Sequence, residues 1–178
     1  MRKHRGVLTV VGIILAAILA YNLFVHATLF FNLSPMLMPS KEAMEKNFAK
    51  NKTEILLVTD YIDSLEYDSV RITNDTVVSA WGHKSGVGSE DIEIDDEKII
   101  GLFTQLFQKG GYKIISAKKD FVEFQKWATR DKDCGIVYSF SGEKPNIEFL
   151  TELSPLSEQG WYYYVSDFDE YRRNNQAK

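Results

Sequence analysis

The sequence predicts an α+β fold: a single N-terminal transmembrane helix followed by one compact domain. In that domain an antiparallel, meander-like sheet is covered by two main helices. Three observations predict it. Residues 7–33 are an apolar run, and no Asp, Glu, Lys or Arg occurs between Arg5 and Lys41. Two later stretches carry apolar residues at helical spacing. The last third of the chain alternates between short β-rich runs and short turns.

The chain starts with Arg2, Lys3 and Arg5, read as a basic cytoplasmic start over residues 1–5. A helix needs about 20 apolar residues to cross the hydrocarbon core, and Val7–Val25 nearly supplies them. The span is assigned to residues 6–33, with 7–31 as the membrane contact. A charge at the centre of a span costs roughly 2.5–3.5 kcal/mol on insertion scales, so the absence of charge is what a spanning helix requires. Three readings fit this run: a stable single-pass anchor, a signal peptide cleaved after Ala27 that would leave a secreted domain, or a buried helix of a soluble protein. The run is longer than the core of about 7–15 residues usual in signal peptides. From Val7 to His26 only Thr9, Asn22 and His26 interrupt it, too few for the polar face of a soluble helix. The sequence therefore favours the anchor.

Positive residues tend to stay cytoplasmic, which puts the amino terminus inside and the C-terminal domain outside the cell membrane. Lys41, Lys46, Lys50 and Lys52 on the other flank oppose that orientation from farther away.

Residues 34–39, Ser-Pro-Met-Leu-Met-Pro, form a short connector, because two prolines cannot continue a helix. The domain is expected over residues 40–173, with a frayed tail at 174–178. Ser40 reads as an N-cap, and Met44, Phe48, Ile55, Val58, Ile62 and Leu65 recur at helical intervals. They predict one amphipathic helix from Lys41 to Glu66. Asn51 and Thr53 weaken its middle, where a kink or a split into two helices would fall.

The period then changes to two. Val70 and Ile72 alternate with polar neighbours, and residues 76–81 read as a paired strand. Gly82–Ser89 reads as a glycine-containing loop, and Glu90–Ile94 as a short strand or extended lead-in. Asp95 or Asp96 caps a second helix whose apolar face includes Ile99, Leu102, Phe103, Leu106 and Phe107, and Gly110-Gly111 ends it. Strands are expected at 112–116, 121–128, 134–141, 146–150 and 161–165. Ser154-Pro155 is expected to open a loop that Gly160 closes. Ser166 to Asp169 matches a capping box that starts a last short helix.

Composition narrows the function. Of 21 Lys and Arg, three precede residue 34; the other 18 stand against 25 Asp and Glu, a formal net charge of −7. An acidic domain is a poor ligand for nucleic acid. Cys134 is the single cysteine, so no internal disulfide forms. A domain of about 140 residues buries a full core without one. One Cys and a distant His do not make a zinc site. The acidic run Glu90–Glu97 lacks EF-hand spacing. No cofactor motif is present, since Gly82, Gly86 and Gly88 lack the lysine and serine of a phosphate-binding loop.

His83 is the one histidine of the domain, and nothing near Ser85, Ser89 or Cys134 resembles a nucleophile elbow. The most unusual local feature is Trp161-Tyr-Tyr-Tyr164. Alternation puts Trp161 and Tyr163 on one face of the sheet and Tyr162 and Tyr164 on the other. Tyrosine and tryptophan are enriched at binding surfaces, so Tyr162, Tyr164, Trp81 and His83 are the candidate binding residues. The expected partner is another protein. Two alternatives stay open. One is an enzyme with a carboxylate and tyrosine site, for which Asp91, Glu93 and Tyr138 are candidates. The other is an accessory membrane subunit whose helix packs through Gly12 and Ala16.

Overall fold

A computed structural model describes residues 18–23, 37–74 and 78–176. The chain divides into two units, Met1–Met38 and Pro39–Lys178. In the first, residues 18–23 are helical, and the Asn22 side-chain amide donates to the Ile18 carbonyl at 2.9 Å. Ile18, Leu19, Tyr21 and Leu23 are exposed. No helix among the described residues is long and apolar enough to cross a membrane. The rest of the expected span, residues 6–17 and 24–33, lies outside the described residues, as do residues 34–36 of the connector.

The second unit is an α+β domain. Ser40 caps α1 (Lys41–Lys50), its hydroxyl accepting from the Ala43 N–H at 3.3 Å. The single long helix expected here is two. α1 stops at Asn51, whose backbone leaves helical geometry at φ −114° and ψ 19°, and α2 runs Lys52–Asp63. The cause is local: Asn51 is buried, and its amide donates to the Asn47 carbonyl at 2.8 Å, the side-chain competition with backbone bonding that makes Asn a poor mid-helix residue. α3 (Glu97–Gln105) is capped by Asp96 and widens into a π turn over Leu106–Gly110. Gly111 ends it at φ +70°.

The strands are β1 (Ser69–Asn74), β2 (Val78–Lys84), β3 (Gly88–Ile92), β4 (Ile114–Lys118), β5 (Phe121–Ala128), β6 (Lys132–Ser139), β7 (Leu150–Pro155) and β8 (Trp161–Asp167). They form one sheet in the order β3-β2-β1-β4-β5-β6-β8-β7, antiparallel throughout. Two crossovers interrupt the meander: α3 carries the chain from edge strand β3 back to β4 beside β1, and β8 inserts between β6 and β7. α4 (Phe168–Gln176) closes the described chain.

Two expected segments differ. Gly82–Ser89 is not a loop: β2 continues to Lys84, three residues turn, and β3 begins at Gly88. The turn needs Gly86 at φ +82° and Gly88 at φ +111°, so the glycines serve the hairpin. The strand expected at 146–150 starts only at Leu150 and runs through Pro155. Proline is tolerated there because β7 is an edge strand with β8 as its one neighbour.

The main core lies between α1–α3 and one face of the sheet. Phe48 and Phe124 pack on Trp161 with ring centroids 4.8 and 5.9 Å apart. A smaller core lies on the opposite face, where Ile147, from the segment between β6 and β7, meets Phe121, Val137 and Tyr164. That face carries the candidate site.

Candidate functional site

Register places three rows of side chains on the face turned away from the helices. One row runs Asp91, Trp81, Arg71, Ser116, Glu123, Val137, Tyr162 across β3, β2, β1, β4, β5, β6 and β8. A second runs Ser89, His83, Ser69, Lys118, Phe121, Ser139. The third runs Ser79, Thr73, Ile114, Gln125, Gly135, Tyr164, Leu153. Gly135 is required in the third row, since a Cβ there would lie 2.2 Å from the Phe124 carbonyl oxygen.

The rows divide into two halves. Over β1–β3 the face is uncovered. Trp81 stands at mid-strand, 41% exposed, with Arg71 and Asp91 as its cross-strand neighbours. His83 lies two residues along the same face, and its Nδ1 shares a 3.1 Å hydrogen bond with the Ser89 hydroxyl. Thr73 and Ser79 share another at 3.0 Å. The exposed part of the indole is the aromatic area that this half of the sheet presents, beside charges of opposite sign.

Over β5–β8 the segment before β7 folds across the face. It leaves a polar depression of 290 Å³ lined by Glu123, Gln125, Asp133, Tyr164 and Ser166, with Lys118, Ile147, Glu148 and Phe149 at its margin. Glu123 accepts from the Ser116 hydroxyl at 3.1 Å. Burial pushes its carboxyl up to about 7, and the neighbouring charges of Asp133 and Glu148 add to the rise. Burial also raises Asp133, against hydrogen bonds from Tyr164 and Gln125. The Tyr164 hydroxyl is pushed far up by burial first and then by the charges of Glu123 and Asp133. Lys118, at the margin, pairs with Glu148 at 3.2 Å, and its charge offsets part of the rise at Glu123. Phe149 holds the crossing segment at φ +56°. Its carbonyl accepts from the Asp167 N–H at 2.9 Å, and its ring packs edge-on against Phe168 at 4.9 Å.

The sequence-derived candidates fall in different places. Trp81 and His83 share the uncovered half. Tyr162 and Tyr164 lie on the same face of the sheet, but four strands separate β8 from β2. Tyr164 is 1% exposed and forms part of the smaller core, and Tyr162 is half-buried against that core. The two tyrosines are therefore not an exposed pair, because the segment carrying Ile147 covers them. Tyr138 packs on Trp161 at 5.0 Å, with its ring on the helix side, and does not meet Asp91 on the opposite face. Glu93 lies just beyond the end of β3. Glu123 and Asp133 are the carboxyls that do come together, and neither stands out in the sequence. The one available signal is an acidic residue at an alternating position inside the apolar run Phe121-Val-Glu-Phe124.

Cys134 is buried, and burial pushes its thiol up to about 12, so it is held as the unreactive thiol. Among the described residues no group of three or more His, Cys, Asp or Glu is placed to hold a metal ion. Comparison of the chain with family models, with curated proteins and with solved structures gives no match, so the reading of this face rests on its own geometry.

Proposed function

We propose that this chain is a membrane-anchored, extracytoplasmic domain that binds another protein through the uncovered half of its sheet. The observation that carries the reading is Trp81. It is large and exposed, and it sits on a rigid strand between Arg71 and Asp91, the mixture of aromatic area and flanking charge typical of interface centres. His83 widens the same surface. The apolar run of residues 7–33 supports the anchor, and the basic cluster at its start supports an outward-facing domain.

The carboxyl pair on the other half supports catalysis less well. Glu123 is bonded to Ser116, and Asp133 to Tyr164 and Gln125. These groups are committed to one another beneath the Ile147 segment.

The test is a photo-crosslinker placed at Ser79 of the full chain in intact membranes, with and without Trp81→Ala. The expected outcome is a discrete protein adduct that Trp81→Ala reduces at least fivefold while expression and membrane recovery stay constant. Recovery of the same adducts at the same yield from both forms sinks the reading.

A further inference from the structure

A second depression, of 580 Å³, lies at the end of the uncovered face where β1, β4 and β5 meet the π turn. We propose that it binds a small ligand carrying a carboxylate or phosphate group, held by Arg71 and Lys113.

Its lining has a chemical bias. Arg71 and Lys113 supply two cations; Asn74 and Gln108 supply amide donors, beside Thr73 and Gln125, whose side chains bond Ser79 and Asp133. No carboxylate among the described residues lines it, although acidic residues outnumber basic ones in the chain, 25 to 21. Both cations are exposed, and neither forms an ion pair with a described residue. They stay hydrated and available, whereas Lys52, Lys118 and Lys132 each hold a carboxylate.

The scaffold beneath them is rigid. Thr73, Ile114 and Gln125 are consecutive cross-strand neighbours, and Arg71 lies two residues from Thr73 on the same face. The Lys113 N–H donates to the Gln125 carbonyl at 2.7 Å, which fixes where the lysine leaves the sheet. Phe107, Ile114 and Ala128 add an apolar wall. The volume is in the usual range of about 300–1,000 Å³ for small-molecule sites. A guanidinium fork matches the two oxygens of a carboxylate or phosphate, and charge-assisted bonds of this kind are the strong ones. An apolar body with one anionic head therefore fits better than a neutral or cationic ligand. Trp81 does not line this depression, and Arg71 is the residue it shares with the proposed protein-binding surface.

In a membrane protein the anion has two sources, a soluble molecule or a lipid headgroup. The test records amide NMR signals of Thr73 and Gln125 in the full chain in phosphatidylcholine nanodiscs. One arm titrates inorganic phosphate; the other replaces half the lipid with phosphatidylglycerol. The expected result is a saturable shift in at least one arm, the responding arm naming the source. Arg71→Ala with Lys113→Ala should weaken the effect at least tenfold, Arg71→Lys should weaken it less, and Lys144→Ala, at an exposed residue that does not line the depression, should leave it unchanged. Retained signal dispersion in each variant checks the fold. No shift in either arm, or an equal shift in the double variant, overturns the proposal.

Discussion

At the scale of single residues, Glu123 ties the fold to pH. Its carboxyl, raised to about 7 by burial, holds a proton that the unfolded chain releases near 4.5. Between those values the folded state binds more protons, so stability falls as pH rises through the window and levels off above it. Asp133 is raised too and acts in the same direction. A shift of this size corresponds to at most about 3 kcal/mol; partial exposure to solvent reduces it. Glu123→Gln keeps the shape and the neutral state. Chemical denaturation of the full chain in detergent at pH 5 and pH 7.5 should therefore show a loss of stability in the wild type that the variant largely abolishes. Equal pH dependence in both would mean that Glu123 is not the responsible group. The residue was not legible in the sequence for a physical reason. Ile147 and Tyr164 line the depression it sits in, and its charged neighbours Asp133 and Glu148 come from β6 and the crossing segment; these are facts of register and crossover.

At the scale of elements, the junction between α1, α2 and the π turn is a polar joint in an apolar layer. Asn51 donates to the Asn47 carbonyl at 2.8 Å, and Asn47 donates to the Gly110 carbonyl at 3.0 Å. Lys126 donates to the same Gly110 oxygen, its ammonium 5.3 Å from the centre of the Tyr112 ring. The joint fixes where α1 ends and how the π turn meets it. Asn47→Ala removes the bond between the two elements and leaves the Gly110 carbonyl to Lys126 alone. The expected cost is about 1–2 kcal/mol, read as a lower unfolding midpoint, while Lys46→Ala on the exposed side of α1 should change little. Strand and helix periods were legible where one side of the element faces the core, as in Trp161–Val165 and Ile99–Phe107. Asn51 also marked the break in the first helix. β7 was not legible, because its proline reads as a terminator until the sheet order shows that the strand sits at an edge.

At the scale of the whole molecule, the core belongs to one unit. Every residue of the two hydrophobic clusters lies between Met44 and Val165, within the unit Pro39–Lys178. Even the connector's last residue contributes from inside that unit, the Pro39 carbonyl accepting from the Tyr163 hydroxyl at 3.1 Å. Among the described residues of the apolar run, 18–23, none belongs to this core, and the proposed anchor assigns the run's hydrophobicity to the bilayer. Two outcomes follow from the proposed anchor and the separate core. A fragment of residues 39–178 should remain in solution and unfold in one cooperative transition, because about 140 residues with a contiguous core meet the requirements of an independent domain. The full chain should stay with the membrane pellet after alkaline carbonate extraction, while the fragment appears in the supernatant. A fragment that aggregates or melts without cooperativity would mean that the first 38 residues complete the fold. A full chain released by carbonate would mean that they do not anchor it. The two readouts separate the role of the apolar run in folding from its role in location, and the proposed anchor predicts that it acts in the second.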